Sequence, residues 1–396
     1  MNMLNPNAFI LYGAPVSLYT GKVRAFLRKH ADVCWQEQLP STTRYSETVL
    51  PQIKRPIIPV LETPDGRVIQ DTTDIIDFME ANGLTNGSVY PDGPVRRAFA
   101  LMLEAFGDEA LLRQAMHYRW SYREQNLPFL KDQFAAIHGL GSAPRLEHGA
   151  GEAESGMDQM ARTLKPLGVY GETIPEIESV MEHLLDALQL HFSYHPYLLG
   201  PEPTIADYGF AGPFFAHLAR DPYPAALMKK RAPQVYRWTE RINAPNRDAP
   251  EFACAGEAGE ALIASDAPPE TMSPVLSLAA TYYVPEIKAV IDSINAWLAE
   301  HRPQARAEVH PKRHIRALGH CEFQYGRVSM RTATRPYMLY LHQRLTDHYD
   351  GLDAAAQTRV RDAFKAAGLE TLLDLRADRR VERVENLEVW GDLERV

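Results

Sequence analysis

Hydrophobic and polar residues in the first 83 positions follow the spacing of strands and helices in alternation. Apolar runs or alternating patterns predict four strands, at residues 9–12, 33–39, 57–61 and 68–69. Val23, Phe26 and Leu27 recur at the spacing of an amphipathic helix. A second helix begins near Asp71, after a turn at residues 64–67. The predicted order is therefore β-α-β, a connection, and then β-β-α.

After residue 93 the pattern becomes mainly helical. Apolar residues recur at helical spacing over residues 95–118, 175–192, 204–218 and 233–242. Stretches rich in Gly, Ala and Glu predict a loop at 138–156 and a linker at 244–274. Beyond the linker, the pattern predicts a hairpin at 321–334 and helices at 285–298, 337–349 and 354–367.

Composition and charge narrow the functional classes. The chain has 396 residues and a formal net charge of -9, which argues against a nucleic-acid-binding protein, since such proteins usually carry a basic face. No stretch reaches the roughly 18 uncharged apolar residues of a membrane span, and the first residues lack the features of a signal peptide. Cys34, Cys254 and Cys321 are odd in number and far apart, as in a reducing compartment. We expect a cytoplasmic protein of several domains.

One combination of motifs carries the functional interpretation. Ile58-Pro59 lies in the third predicted strand, and Asp71-Thr72 stands at a helix start after the next strand. Together with the preceding β-α-β unit and the helical segment that follows, this arrangement resembles the glutathione transferase superfamily over residues 8–245. The resemblance implies an α/β thioredoxin-like domain followed by an all-α glutathione-transferase-like domain. A mainly helical C-terminal extension departs from the family.

The resemblance also implies domain boundaries. We expect a thioredoxin-like glutathione-binding domain at residues 1–85 and an all-helical domain forming the second-substrate pocket at 92–245. The C-terminal extension then spans residues 246–396. The resemblance leaves open whether this extension covers the active-site cleft, enlarges a dimer interface or offers a surface to a partner.

The helix start at Asp71 suits a ligand with a free amino-acid end. Unpaired N–H groups and the positive dipole end of a helix favour an anion such as the α-carboxylate of glutathione. In the resemblance Thr72 adds a hydroxyl and Asp71 meets the α-ammonium group, although the family usually has Glu-Ser here. Ile58 and a cis Pro59 align the cysteinyl part, and Arg55 holds the glycyl carboxylate. The structural alternatives are helix capping by Asp71 and Thr72, and a solvated charge at Arg55.

Ser17 is the candidate catalytic residue. The segment from Ser17 to Val23 and Arg24 resembles the family segment in which Ser or Cys precedes the first helix. A free thiol titrates at about pH 8.5, and a hydroxyl that donates to the thiolate favours its charged form. Tyr12 and Tyr19 are alternative hydroxyls, and the structural alternative is that Ser17 is a turn residue. Because this position lacks Cys and the chain lacks Cys-x-x-Cys, exchange through an enzyme mixed disulfide is not expected.

Two clusters outside these motifs have mainly structural interpretations. Near the end of the long helical pattern, Met116 and Trp120 fit a core position, while Tyr118 or Arg119 is placed to face a cleft. Four histidines lie close together beside Cys321, at His301, His310, His314 and His320. Neighbouring basic residues oppose a cation there, so no metal site is expected.

The resemblance implies a glutathione transferase-like enzyme that activates the thiol of glutathione, its co-substrate, for attack on a small hydrophobic electrophile. It also implies a homodimer, with no nucleic acid and no membrane among the partners. A glutathione-dependent isomerase or lyase is an alternative that shares the thiol site. A non-catalytic binding or scaffold protein with the same fold is the other alternative, because fold does not fix function.

Overall fold

A four-stranded mixed sheet forms the N-terminal part of the chain. The computed structural model describes residues 7–138, 150–252, 262–310 and 316–393. Within it the sheet has the order β2-β1-β3-β4, with β1 (Phe9–Tyr12), β2 (Trp35–Gln38), β3 (Val60–Glu62) and β4 (Val68–Gln70). Strand β1 runs parallel to β2 and antiparallel to β3, which is antiparallel to β4. The helices of this part are α1 (Leu18–His30), α2 (Leu50–Ile53) and α3 (Thr72–Ala81). The predicted thioredoxin-like order is confirmed.

The second part is helical, as predicted. Its helices are α4 (Pro94–Ala105), α5 (Leu112–Trp120), α6 (Arg123–His138), α7 (Ala150–Ala161), α8 (Ile174–His191), α9 (Ile205–Pro213), α10 (Pro222–Arg231) and α11 (Pro233–Asn243). A π-helical turn at Phe106–Ala110 divides the long predicted pattern into α4 and α5. The predicted loop at 138–156 is wrong from residue 150 onward, because good helix formers such as Ala, Glu and Met sustain α7 despite two glycines. Residues 139–149 lie outside the described residues.

The C-terminal extension contains helices and two hairpins. It comprises α12 (Ser273–Leu278), α13 (Val284–His301), β5 (His320–Tyr325), β6 (Val328–Ala333), α14 (Pro336–Asp350), α15 (Ala354–Ala366), β7 (Arg379–Val384) and β8 (Leu387–Leu393). The hairpin of β5 and β6 confirms the prediction at 321–334. The β7–β8 hairpin was not expected from its charged sequence. Its turn places Glu385 and Asn386 at φ 48° and 65°, the left-handed region that Asn tolerates well.

One apolar core joins all three parts of the chain. Leu11 of β1, Phe99 of α4 and Trp390 of β8 belong to the same buried cluster. The rings of Phe99 and Phe364 lie 4.6 Å apart between centroids. A buried ion pair also connects the helical part to the extension, since Arg113 Nη1 donates to Glu286 Oε2 at 2.9 Å. The extension is therefore packed as part of the same body as the first two parts.

His30 predicts how stability depends on pH. Its ring packs against Phe26 and Tyr208, and neither ring nitrogen has a hydrogen-bond partner among the described residues. Burial lowers its pKa to about 4. Below pH 6.5 the unfolded chain therefore takes up a proton at His30 that the folded chain does not bind. The free energy of unfolding thus decreases by about 1.4 kcal/mol for each unit by which the pH is lowered, until the pH reaches the folded pKa. We expect His30→Phe to remove this contribution.

The measurement is urea unfolding of His30→Phe and the parent protein at pH 7 and pH 5. The free energy of unfolding of His30→Phe, relative to that of the parent protein, should increase by about 2 kcal/mol from pH 7 to pH 5. His183 is exposed, so His183→Gln serves as the control and should show no such growth. If the difference in the free energy of unfolding between His30→Phe and the parent protein is the same at both pH values, His30 takes up a proton as readily in the folded protein as in the unfolded chain.

Candidate functional site

The predicted site residues meet at one end of the sheet. A single row of paired residues crosses all four strands, consisting of Gln38, Tyr12, Val60 and Gln70. Ser17 follows β1, Pro59 immediately precedes β3, and Asp71 immediately follows β4. Because β1 and β4 run in one direction and β3 in the other, all three segments leave the sheet on the same side of this row. The sheet topology thus brings together residues that are far apart in sequence.

Ser17 is the N-cap of α1. Its Oγ accepts a hydrogen bond from the Thr20 N–H at 3.3 Å, which satisfies one of the free donors at the helix start. The preceding loop is held by Arg119, whose Nη1 donates to the Val16 carbonyl at 2.9 Å. Ser17 is half-buried, and capping uses only its lone pairs. Its hydroxyl proton has no acceptor among the described residues, so it is available to a ligand.

The two alternative hydroxyls, those of Tyr12 and Tyr19, have carboxylate partners. Tyr12 is fully buried and donates to Glu62 Oε2 at 2.8 Å. Tyr19 donates to Glu109 Oε1 at 3.1 Å. Burial and the adjacent carboxylate raise the pKa of both phenols above the usual range. Both phenol protons are therefore already bound by a carboxylate, that of Glu62 for Tyr12 and that of Glu109 for Tyr19.

The Ile58–Pro59 peptide bond is cis, as the resemblance implies. Tyr45 fixes the segment before it, because its hydroxyl donates to the Ile57 carbonyl at 2.8 Å. The Ile58 side chain is half-buried against the apolar cluster that includes Val16. Its backbone N–H makes no hydrogen bond to any residue that the structure describes. This amide is therefore free to bind a peptide-like ligand.

The start of α3 combines an unusual backbone with an unpaired hydroxyl. Asp71 has φ 108°, a conformation that non-glycine residues rarely adopt and that tends to occur at ligand sites. Its Oδ1 accepts a hydrogen bond from the Thr73 N–H at 3.0 Å, so Asp71 caps α3. Thr72 is 2% exposed, and its Oγ1 has no partner in the described structure. A buried hydroxyl without a partner costs free energy unless a ligand or water binds it.

Behind this end of the sheet lies a buried charge network that the sequence analysis missed. Lys22 is fully buried, and its Nζ donates to Glu104 Oε1 at 2.7 Å and to Asp108 Oδ2. Thr73 Oγ1 also donates to Glu104 Oε1 at 2.8 Å, which ties α3 to α1 and α4. Burial alone would lower the pKa of Lys22, but Asp108 and Glu104 raise it above its usual range. The available signal was Glu104 and Asp108, one turn apart within the predicted helical segment at 95–118.

The C-terminal extension reaches the start of α3. Tyr337 of α14 donates from its hydroxyl to Asp71 Oδ1 at 2.8 Å. One turn further along α3, Tyr340 donates to Asp74 Oδ1 at 2.5 Å. Arg383 of β7 donates to Asp74 Oδ2 at 2.9 Å and to the Gln70 carbonyl at 2.6 Å. Residues far apart in sequence therefore surround the predicted γ-glutamyl site, and no local motif could have revealed them.

Arg55 lies in a second buried cluster. Its side chain is 8% exposed, and its Nη2 donates to Gln70 Oε1 at 3.1 Å and to Glu388 Oε1 at 3.4 Å. Glu388 of β8 also accepts from Arg316 and from His310, each at 2.7 Å. Burial alone would raise the pKa of the Glu388 carboxyl, but Arg316, the hydrogen bond from His310 and the nearby Arg383 hold it well below its usual range. The solvated-charge alternative for Arg55 does not describe this arrangement.

The bulky residues of α5 are mostly core. Met116 and Trp120 are buried in an apolar cluster together with Phe323 and Tyr325 of the extension. Arg119 is also buried, and its Nε donates to Asp221 Oδ2 at 2.6 Å. Leu39, Ile58 and Leu112 are half-buried and pack against the same apolar cluster, which also contains Val16, the residue before Ser17. They could contact an apolar group carried by a ligand.

The predicted histidine cluster forms no metal-ligand group among the described residues. Within the described ranges, no group of three or more His, Cys, Asp or Glu side chains is arranged to hold a metal ion. His314 lies outside those ranges. The described residues also form no helix that is both long and apolar enough to cross a bilayer.

Two family models match the sequence. One is described as the glutathione S-transferase N-terminal domain and matches residues 11–83. The other is described as the glutathione S-transferase C-terminal domain and matches residues 143–241. No curated protein matches the chain. All predicted catalytic and glutathione-binding residues lie within the first range, whereas the C-terminal extension lies outside both.

Solved structures are similar to the chain at low identity. A glutathione S-transferase from Rhodospirillum rubrum F11 is 17% identical, covers 62% of this chain and 92% of its own, and has a TM-score of 0.38. The beta-etherase LigF from Sphingobium sp. strain SYK-6 is 18% identical, with coverages of 60% and 95% and a TM-score of 0.41. A glutathione S-transferase from Methylobacterium radiotolerans, in complex with glutathione sulfonate, is 18% identical, with coverages of 61% and 93% and a TM-score of 0.31. Because these TM-scores are below 0.5, none of these structures bears on the function of this chain.

The buried network at Lys22 predicts a large loss of stability. Lys22→Met leaves the carboxylates of Glu104 and Asp108 buried without their cation, which should lower the free energy of unfolding by about 3–5 kcal/mol at pH 7. In the variant the folded protein holds protons on these carboxylates more tightly than the unfolded chain does. The loss should therefore shrink as the pH falls.

Urea unfolding of Lys22→Met at pH 7 and pH 5 measures both effects. Lys288→Met is a matched control, because Lys288 also pairs with a carboxylate, that of Asp292, but at an exposed position. Its effect should stay below about 1 kcal/mol at either pH. Equal losses for the two variants would contradict the role assigned to the buried network.

Proposed function

The chain belongs to the glutathione transferase superfamily, and we propose that it binds glutathione at the start of α3 and activates its thiol. The observation that carries this proposal is the buried Thr72 hydroxyl, which has no hydrogen-bond partner among the described residues. It lies at the start of α3, where backbone N–H groups are also available as donors. An α-carboxylate placed there would accept hydrogen bonds from both kinds of donor. Asp71 stands beside it as the acceptor for the α-ammonium group.

The rest of the tripeptide can be assigned to named groups. The free N–H of Ile58 suits the backbone of the cysteinyl residue, because an extended peptide offers a carbonyl to such a donor. Oδ1 of Asp71 is occupied by Thr73 and Tyr337, while Oδ2 receives no hydrogen bond from a described residue. Oδ2 is therefore the oxygen that we assign to the ligand's ammonium group.

Ser17 is the group that we assign to the thiol. Its Oγ already accepts from the Thr20 N–H, so capping does not use the hydroxyl proton, which can be donated to a ligand. A hydrogen bond donated to the sulfur favours the thiolate, and the dipole of α1 acts in the same direction. The neighbouring half-buried Leu39, Ile58 and Leu112 suit a hydrophobic electrophile as the second substrate.

A non-catalytic binding or scaffold role is the second candidate, and one observation favours it. The extension contacts Asp71 directly through Tyr337, so the site is more enclosed than its first two domains alone would make it. An isomerase or lyase that uses glutathione would share every residue assigned above and differ only in the second substrate. The homodimer, the cytoplasmic location and the domain boundaries remain predictions.

Glutathione binding is tested by calorimetric titration of the full chain. We expect micromolar to millimolar affinity, weakened about tenfold or more by Asp71→Asn, which keeps the capping oxygen but removes the charge. Thr72→Val, which keeps the shape but removes the hydroxyl, should also weaken binding. Asp65→Asn, in the turn between β3 and β4, is the control. No heat and no thermal stabilisation at about ten millimolar glutathione would overturn the proposal.

The role of Ser17 is tested by variants that separate capping from donation. Ser17→Ala should cost about 1 kcal/mol of stability and raise the pKa of bound glutathione's thiol. Ser17→Asp keeps a capping acceptor but lacks the hydroxyl donor, so it should preserve stability and still lose thiol activation. Ser17→Thr should keep both. Ultraviolet absorption of the thiolate against pH, alongside urea unfolding, measures the two properties; an unchanged thiol pKa in Ser17→Ala would leave Ser17 as a cap only.

A further inference from the structure

The cluster around Glu388 has more positive than negative charge. Three guanidinium groups, those of Arg55, Arg316 and Arg383, approach the single carboxylate oxygen Glu388 Oε1, at 3.4, 2.7 and 3.4 Å. Arg383 is compensated separately, because its Nε donates to Asp74. Arg55 and Arg316 are left to share one carboxylate, and His310 occupies the other oxygen of Glu388. A further anion would balance the pair.

The same cluster contains buried donors without partners. Nε of Arg55 and Nε of Arg316 are each buried and unpaired in the described structure. Guanidinium N–H groups are strong donors, and leaving them desolvated and unpaired is unfavourable. Their presence together, beside an unbalanced charge, indicates an anionic partner.

Arg316 is the member of the cluster that a ligand can reach. Its side chain remains 37% exposed, whereas the Arg55 side chain is 8% exposed. Its guanidinium lies over the ring of Tyr337, 5.4 Å from the ring centroid, and the hydroxyl of that ring is bonded to Asp71. Arg55 is bonded to Gln70, the residue before Asp71. Two short chains of contacts, one through Tyr337 and one through Gln70, therefore connect the basic pair to the acidic Asp71.

The carboxylate of Asp71 and the basic pair Arg55 and Arg316, connected in this way, suit a ligand that carries both an ammonium group and a carboxylate. We propose that the C-terminal extension completes the ligand site: Arg316, supported by Arg55, binds a carboxylate of the molecule whose ammonium group Asp71 accepts. This inference rests on the proposed glutathione site and adds a binding residue from outside the two matched domains. Glutathione has two carboxylates, and the experiment distinguishes them.

The test is calorimetric titration of the full chain with glutathione for the parent protein, Arg316→Gln and Arg316→Lys. We expect Arg316→Gln to weaken binding about ten- to a hundredfold, as for a charge-assisted hydrogen bond, and Arg316→Lys to weaken it less. Arg376→Gln is the control, because Arg376 also belongs to the extension and forms an ion pair, with Asp350, away from the site. Circular dichroism and thermal unfolding establish that each variant is folded.

Two analogues identify the carboxylate. One has the glycyl carboxylate converted to an amide, and the other lacks the α-carboxylate of the γ-glutamyl group. The analogue that lacks the carboxylate bound by Arg316 should bind the parent protein weakly and should lose no further affinity in Arg316→Gln. The other analogue should remain as sensitive to the substitution as glutathione is.

The outcomes separate this inference from the proposed function. If glutathione binds and Asp71→Asn weakens it, but Arg316→Gln binds like the parent, the glutathione site stands and the role of Arg316 is overturned. Tighter binding by Arg316→Gln would also overturn it, because the extension would then compete with the ligand. If the parent protein binds no glutathione, the proposed function and this inference both fall.

Discussion

The free edge of β4 governs the architecture around the candidate site. β4 is the last strand of the sheet, so its outward N–H and C=O groups need partners other than a strand. Asn386 supplies them with one side chain, whose amide donates to the Val68 carbonyl and accepts from the Gln70 N–H. The hairpin turn that carries Asn386 is thereby fixed at this edge. Closing the edge with the C-terminal hairpin brings α14 and β8 against α3 and the site.

The acidic side chains on one face of α3 and its cap are each hydrogen-bonded to a side chain of α14 in the C-terminal extension. Asp71, Asp74 and Asp77 recur every three residues, which places them on one stripe of the helix and its cap. Along α14, the hydroxyls of Tyr337 and Tyr340 and the guanidinium of Arg344 bind these three carboxylates in the same order. Acidic groups near a helix start are favoured by its dipole, but packing them against another helix requires donors at a compatible spacing. The donors of α14 recur after three and then four residues, and each reaches one carboxylate of α3 and its cap.

The parts of the fold that the sequence predicted are those that depend on local spacing. The four strands of the N-terminal sheet, the β5–β6 hairpin, the main helices and the positions of Ile58-Pro59 and Asp71-Thr72 follow from periodicity and short motifs within a few residues of one another. The network of Lys22 and the contact of Arg55 with Glu388, 333 residues away, depend on long-range pairing of charged side chains. A periodic pattern assigns such residues to solvent, because it carries no information about which distant charge compensates them. The loop predicted over residues 150–156 is wrong for a local reason. The two glycines in this stretch indicate a loop, but the helix formers around them outweigh that signal.

The arrangement at Asp71 distinguishes a cover that completes a site from one that fills it. A segment that replaced the ligand would be expected to satisfy the donors and acceptors that the ligand uses. Tyr337 instead bonds to Oδ1, the oxygen already used for capping by the Thr73 N–H, and leaves Oδ2 without a partner among the described residues. The Thr72 hydroxyl and the Ile58 N–H are likewise left unpaired by the described part of the extension. The extension therefore orients Asp71 through one oxygen and leaves the groups assigned to glutathione unpaired, which is the pattern expected of a wall of the proposed site and not of a substitute for its ligand.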